Sequence, residues 1–421
     1  MEGRLTEPLL KKRGNDRAAQ SEGVFSEGSM GASVTLLCSA AIGAGVLALP
    51  YGVSTIGVLP AAVLFAVAGA AACVSNMIIF QCAQDTGLSS YGELMTGILG
   101  SRGATVLDFF VTLEGLAAVS TYLVFIMDYV PQVCALAGED AWCTDRGAVL
   151  KATVAIVWPL SCLKGLSALR YVSTCSLATI CFTTVVVVLR APSYFSLQEQ
   201  SLGEAVTKVN LTLDSSQALS MACFAFMTHT NTPEIASAMR RPTRDRSRRV
   251  VLTHTALMWF VYCVIAVCGF LSFLGTISQD FLTNYELNDP LVVACRSLLS
   301  LSLVFACPIN MFPSMQALFN ILEGMRTTKA TDENDTLYAL NHVRVPVSTC
   351  CFAVVVGVAA RTPHVADMVS AISVFLSAPL MFLFPAMMYR TILGQKGPLV
   401  PAFLILLTFA LIAVELCRMA T

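Results

Sequence analysis

The sequence predicts an all-α polytopic membrane protein. It has about eleven transmembrane helices in a five-plus-five inverted repeat with broken helices one and six, plus one extra C-terminal helix. Three observations predict this. The 421-residue chain is 56% hydrophobic and only 13% charged, with a mean hydropathy of +0.72. A soluble domain averages about 45–50% apolar and about 25% charged. The apolar residues gather into eleven runs, most of them close to membrane-spanning length. The first and sixth runs are interrupted by residues that do not sustain a helix.

The charge deficit excludes a large water-facing surface, and a net charge of −1 implies no nucleic-acid partner. Nearly all of the 16 cysteines sit inside apolar runs, where a thiol behaves as a small hydrophobe. They lack the paired spacing of a metal site. Cys134 and Cys143 lie outside the runs, in one loop, as a possible structural disulfide. Residues 1–29 are polar, with Lys11, Lys12, Arg13 and Arg17. They lack the apolar core of a cleavable signal and read as a disordered cytosolic tail. Glu7-Pro8-Leu9-Leu10 within it resembles a dileucine sorting signal with altered spacing. Residues 30–417 form the transmembrane domain, with a first repeat at 31–190, a second at 214–389 and the extra helix at 398–417.

The runs lie at about 31–56, 58–82, 104–127, 148–166, 171–190, 214–236, 250–275, 290–312, 343–361, 367–389 and 398–417. A span takes roughly 20 apolar residues. In lipid every backbone polar group must be satisfied internally. Runs this long, without alternation, are therefore helices. Loop charge sets their orientation. Residues 239–249 hold six arginines and one acid, which places that loop in the cytosol. By alternation the N-terminal tail, the 83–103 loop, Lys164, Arg170 and the 313–342 loop are also cytosolic. The loops with Glu139, Asp140 and Asp145, with Glu199 and Glu204, and with Asp280, Glu286 and Asp289 fall on the opposite side, as does the C-terminus. Asn210-Leu211-Thr212 is then a glycosylation sequon on an outside loop, whereas the sequon at Asn334 lies inside and is unusable.

Span one reads Cys38-Ser39-Ala40-Ala41-Ile42-Gly43-Ala44-Gly45-Val46, with Pro50 beyond. A helix-interior glycine costs about 0.8–1 kcal/mol relative to alanine, although such triplets also serve close helix crossings. Span six reads Phe224-Ala225-Phe226-Met227-Thr228-His229-Thr230-Asn231-Thr232-Pro233-Glu234. Pro233 lacks an N–H, and its ring opposes the carbonyl of His229. Spans one and six run in opposite directions. Paired breaks in corresponding spans of two inverted halves point to a transport site near the bilayer midplane. Unwinding at Gly43–Gly45 frees N–H groups at a helix N-terminus, which attracts an anion such as a carboxylate. Freed carbonyls and the hydroxyls of Ser39 and Thr230 suit an amino group or a cation. Together they suit a zwitterion.

Several stretches carry a family resemblance: residues 41–51 around Gly43-Ala44-Gly45, Trp158-Pro159-Leu160-Ser161, Phe224-Ala225-Phe226 through His229, Pro233-Glu234-Ile235, Arg241-Pro242-Thr243, Ala306-Cys307-Pro308-Ile309-Asn310 and Phe382-Leu383-Phe384-Pro385. With these the chain resembles the amino acid/auxin permease family, over about residues 31–415. That family includes neutral amino acid transporters of animals and amino acid permeases of plants. The resemblance implies cation-coupled amino acid transport. It implies that Gly43, Ala44 and Gly45 meet the substrate carboxylate, and that Phe224, Phe226, His229 and Thr230 form the opposite wall. Sodium-coupled animal members carry Asn at the position of Ser39 and Thr at that of Ala306, so the resemblance favours H+ over Na+ as the coupling ion. No cofactor is expected.

Ionisable residues inside spans are costly and usually functional. That makes Glu114, in the middle of span three, a candidate for ion coupling together with Ser39; the alternative is a structural hydrogen bond. For His229 the expected role is a neutral imidazole holding the span-six break. Spans one, two, six and seven are expected to rock against the rest. A sensor of the same fold with little flux is the alternative reading, and the tail of about 30 residues favours transport. The sequence has no Ser/His/Asp set, HExxH motif or paired intramembrane acids, so no enzyme is expected. The membrane is the plasma membrane or a vacuolar or lysosomal one, with membrane lipids as the remaining partner.

Overall fold

The computed structural model describes residues 26, 28–43, 45–138, 142–162, 170–198, 201–210, 212–324, 341–362, 364–391 and 397–420. Ala44, Glu139, Asp140, Lys164, Glu199, the dileucine-like segment and Asn334 lie outside these residues. The protein is all-helical, with no strand among the described residues. Among the described residues, eight helices are long and apolar enough to cross a membrane, and the bent pair Met30–Ala41 and Gly45–Ile56 makes a ninth. The other two predicted runs are also helical: Arg146–Ser161, and the broken pair Ser216–Ala225 and Thr232–Ala238.

In chain order, span one is Met30–Ala41 plus Gly45–Ile56, span two Val58–Thr86, span three Tyr91–Cys134, span four Arg146–Ser161 and span five Arg170–Phe195. Span six is the broken pair. Span seven is Arg244–Phe273, span eight Pro290–Gly324, span nine Asn341–Arg361, span ten Val365–Tyr389 and span eleven Leu399–Ala420. Ser29 caps span one by accepting from the Ala32 N–H at 3.2 Å. The chain just before it is tied to the end of span six, where the Arg240 N–H donates to the Gly28 carbonyl at 2.9 Å.

One expected loop is largely helical. Residues 83–103 read as a connection, yet a helix starts at Tyr91. Ser90 and Glu93 form a reciprocal capping box there, a signal present in the sequence. Gly100, at φ +68°, then kinks this helix and divides its first turns from the long apolar part of span three. Span ten carries two consecutive π-helical turns, Ser373–Ser377 and Pro379–Leu383, the form in which an extra residue is absorbed without ending a helix.

Spans three and eight cross at the centre of the bundle. Gly115 permits this, because a Cβ there would collide with the Ser314 hydroxyl. These are corresponding spans of the two repeats. Call the end of the bundle where Met30 enters the near end, and the other the far end. At the far end Cys134 and Cys143 form a disulfide. Asp289 accepts from the first N–H groups of span eight and pairs with Arg190 of span five at 2.6 Å. Burial opposes the charge on Asp289, but the hydrogen bonds from Arg190 and the backbone hold its carboxyl below the usual carboxylate range. Span eleven docks through Arg418, which binds Glu415 at 2.7 Å and Asp367 of span ten at 3.0 Å. Asp367 also accepts from Gln217 at the start of span six, at 2.8 Å.

Candidate functional site

The two breaks lie side by side, and each is held by a span of the opposite repeat. In span one, helix ends at Ala41, and Ile42 is extended (φ −81°, ψ 101°). Helix resumes at Gly45 with a bend of 63°. Span seven grips this break. The buried Tyr262 hydroxyl lies 3.0 Å from the Ala41 carbonyl and 2.6 Å from the Ala225 carbonyl, where the first half of span six ends. His254 Nδ1 contacts Cys38 Sγ at 3.5 Å. One hydroxyl thus serves the two carbonyl ends left open by the two breaks, at points where no N–H of the described backbone closes them.

Span two grips the break in span six. His229 is fully buried, with its Nε2 hydrogen-bonded to Ser75 Oγ at 2.7 Å. The Asn76 amide donates to Thr228 Oγ1 at 2.9 Å and accepts from Thr232 Oγ1 at 2.7 Å. The polar run that cannot stay helical is therefore closed by two neighbouring polar residues of one other span. Asn76→Ala takes the donor from the Thr228 hydroxyl, while the Thr232 hydroxyl keeps its bond to the Thr228 carbonyl at 3.0 Å. The expected result is a loss of roughly 1–3 kcal/mol for the orphaned group, read as a lower melting temperature in detergent. Asn76→Ser should recover part of it.

A cavity of about 250 Å³ opens on the near-end side of the breaks. Span one contributes Ser39 and Ile42, span six Thr230, Asn231 and Glu234, span three Glu114 and Tyr122, and span eight Ala306 and Asn310. Ser39 is 9% exposed, and its Oγ has no hydrogen-bond partner among the described residues. Glu114 sits in the cavity wall, and Tyr122, two turns along the same helix, covers Gly43. A Cβ on Gly43 would come within 2.9 Å of the Tyr122 hydroxyl.

The far-end halves of the broken spans pack shut. A Cβ on Gly45 would lie 2.8 Å from Phe224 Cδ1 and 3.1 Å from the Ala225 Cα, and one on Gly52 would meet Ala218 at 3.2 Å. Pro50 packs on Gly269 of span seven. Over this lies a loop fastened by a fully buried arginine. Arg296 of span eight donates to the carbonyls of Leu282 and Tyr285 at 2.8 Å each. Tyr129 of span three donates to Asp280 in the same loop at 2.8 Å. Burial, with the Asp128 carboxyl close by, pushes Asp280 well above the ordinary carboxylate range.

Of the residues singled out from sequence, Ser39, Thr230 and Glu114 line the cavity, and Gly43 lies beneath Tyr122. Gly45, Phe224, Phe226 and His229 are placed elsewhere. Gly45 and Phe224 form the crossing of spans one and six. The Phe226 ring lies against Gly69 of span two and edge-on to Tyr262 at 5.1 Å. His229 faces span two. The opposite wall of the cavity comes instead from the half of span six beyond the break. Asn210 lies in a described loop, its N–H bonded to the Ile56 carbonyl at 3.0 Å.

Sequence reasoning missed Ser75, Asn76, Tyr122 and Tyr262. The adjacent Ser75-Asn76 inside an apolar run was a readable signal, since a polar pair in lipid needs partners. Tyr262, one of several aromatic residues in span seven, carried none.

A helical bundle with two broken, antiparallel spans meeting at a central cavity has the build of a secondary transporter. The family model described as "Transmembrane amino acid transporter protein" matches residues 26–419, and the chain belongs to that family. It is 31% identical over 302 residues to the Toxoplasma gondii protein AAT1, named for amino acid transport; the match takes in 72% of this chain but 42% of that one. It is 26% identical over 369 residues to a sodium-coupled neutral amino acid transporter 7 of Danio rerio, covering 85% of this chain and 78% of that one. Among solved structures, Mhp1 in an inward-facing conformation superposes with a TM-score of 0.62 at 12% identity, over 89% of this chain and 79% of that one. The fold is thus the inverted-repeat fold expected from the paired breaks.

Proposed function

We propose that the chain is a secondary active transporter that carries amino acids by alternating access, coupled to a cation, with H+ favoured over Na+. The observation that carries this is the asymmetry around the breaks. A cavity reaches both from the near end, while the far-end halves are packed against each other and covered by the Arg296-fastened loop. Family membership supports the substrate class. With the N-terminus cytosolic, as the arginine-rich segment 239–249 argues, the cavity faces the cytosol and the C-terminus lies outside or in an organelle lumen. The membrane is the plasma membrane or that of a vacuole or lysosome.

The substrate α-carboxylate binds at the amides that open the helix Gly45–Ile56, where the helix dipole favours an anion. The Ser39 hydroxyl faces the same cavity without a partner among the described residues. Sodium prefers several oxygen ligands, and Ala306 brings none from its side chain to the cavity wall. Glu114 supplies a group that can take up and release a proton. No enzymatic step is part of this reading.

The test is uptake of a labelled amino acid panel into proteoliposomes, with proton and sodium gradients imposed separately. A proton gradient alone is expected to drive accumulation. Accumulation driven only by sodium would overturn the assignment of the ion. Saturable binding without flux would mark the chain as a sensor.

A further inference from the structure

The charged side chains lining the central cavity are both acids, Glu114 and Glu234, and neither Lys nor Arg lines it among the described residues. Glu234 lies near the cavity mouth, exposed. Glu114 lies deep in span three and makes no hydrogen bond or ion pair to another described residue. A carboxylate at that depth is costly unless something pairs with it. In the same cavity the Ser39 hydroxyl, on a side chain 91% buried, is also without a partner among the described residues. An acidic group and a hydroxyl are both open to whatever fills the cavity, and the described residues lining it bring no cationic side chain.

Distance along span three decides which ligand fits. Tyr122, whose hydroxyl lies over Gly43 at the break, follows Glu114 by about 12 Å of helix rise. Helical side chains lean toward the N-terminus of their helix, Glu114 as well as Tyr122, so the gap between the two polar ends stays of that order. A ligand whose α-carboxylate sits at the break meets Glu114 only at the far end of a long side chain. From these placements we propose that the preferred substrates are amino acids with a long cationic side chain, of the lysine, ornithine and arginine type. The Glu114 carboxylate binds their terminal ammonium or guanidinium group. Glu234 at the mouth draws cations toward the cavity. Substrate cation and coupling proton then compete for one carboxylate.

This inference rests on the transport reading and deepens it, and its test separates the two. Norleucine carries the same four side-chain carbons as lysine without the terminal ammonium group. Exchange of labelled lysine and of labelled norleucine is measured in proteoliposomes with no ion gradient, for the wild type and Glu114→Gln. Lysine is expected to be preferred by at least about tenfold in the wild type, the size of one charge-assisted hydrogen bond. That ratio is expected to fall to about one in Glu114→Gln. Equal handling of the two ligands by the wild type overturns the proposal. So does a variant that loses both in the same proportion, because Glu114 would then serve the α-ammonium or the proton. Thermal shifts of the detergent-solubilised protein with each ligand give the same ratio independently of flux. No exchange of any amino acid, with a lysine-selective thermal shift, removes the transport reading and leaves the selectivity standing.

Discussion

Gly45→Leu is expected to reduce amino acid uptake below about a tenth of wild type while the protein still reaches the membrane. At Gly45 the two broken spans touch. A single added carbon already meets a movable ring atom of Phe224 at 2.8 Å and the Ala225 backbone at 3.1 Å. The ring can turn aside, but the backbone cannot without parting the spans. A leucine there must push span one from span six, at a cost of roughly 1–3 kcal/mol for overpacking. The displacement falls next to the carbonyls that Tyr262 holds together. Gly45→Ala should give an intermediate loss, since a methyl group needs a shift of only a few tenths of an ångström. Uptake is compared at equal surface expression, measured by biotinylation. Normal uptake by Gly45→Leu would remove the crossing of the two spans from the mechanism.

Tyr262→Phe is expected to slow uptake about tenfold with little change in folding. The phenyl ring keeps its edge-on contact with Phe226. Only the hydroxyl is lost, and with it the hydrogen bond shared by Ala41 and Ala225. That hydroxyl has one proton, so the two carbonyls together lose about one hydrogen bond, roughly 0.5–1.5 kcal/mol net. Both lie at helix ends that have no further N–H to offer. The arrangement of the breaks should therefore loosen while the surrounding helices stay packed. Slower transport, with a melting temperature within a few degrees of wild type, is the expected pair of readings. A variant that transports normally would show that the breaks hold their shape without span seven.

Much of the architecture was legible in the sequence. Apart from the breaks in the first and sixth, the described residues of the eleven apolar runs are helical, because backbone satisfaction in lipid leaves no other choice for runs of that length. The broken spans were legible from Gly43-Ala44-Gly45 and from the polar stretch through Thr230 and Pro233, residues that weaken or interrupt a helix locally. The helix at Tyr91 has its signal in the Ser90 and Glu93 capping box, although its first turns are too polar to form part of an apolar run.

The cavity wall was only half legible. Ser39, Thr230 and Glu114 face it, each a polar group in an apolar run. Phe224 lies in the last turn before the break and Phe226 and His229 within it, and they turn to Gly45, to Gly69 and to Ser75 instead. Beyond a break the helix phase restarts, so sequence spacing no longer predicts which way a side chain points. Tyr262 illustrates the same limit from the other side. Its hydroxyl bridges Ala41 and Ala225, residues distant from it and from each other in the chain, and a tyrosine in an apolar run looks like any core aromatic.

The sequence by itself determined the number of helical runs, the places where two of them break and the polar groups carried into the apolar interior. These follow from local rules: apolar length, backbone hydrogen bonding and the loss of helix at Gly and Pro. Only the tertiary structure decided that span two holds the break of span six and span seven that of span one. It also decided that the cavity opens on one side of both, with Glu114 facing it and bonded to no other described residue. Those outcomes depend on how helices rotate and cross, which is set by contacts between residues far apart in the chain.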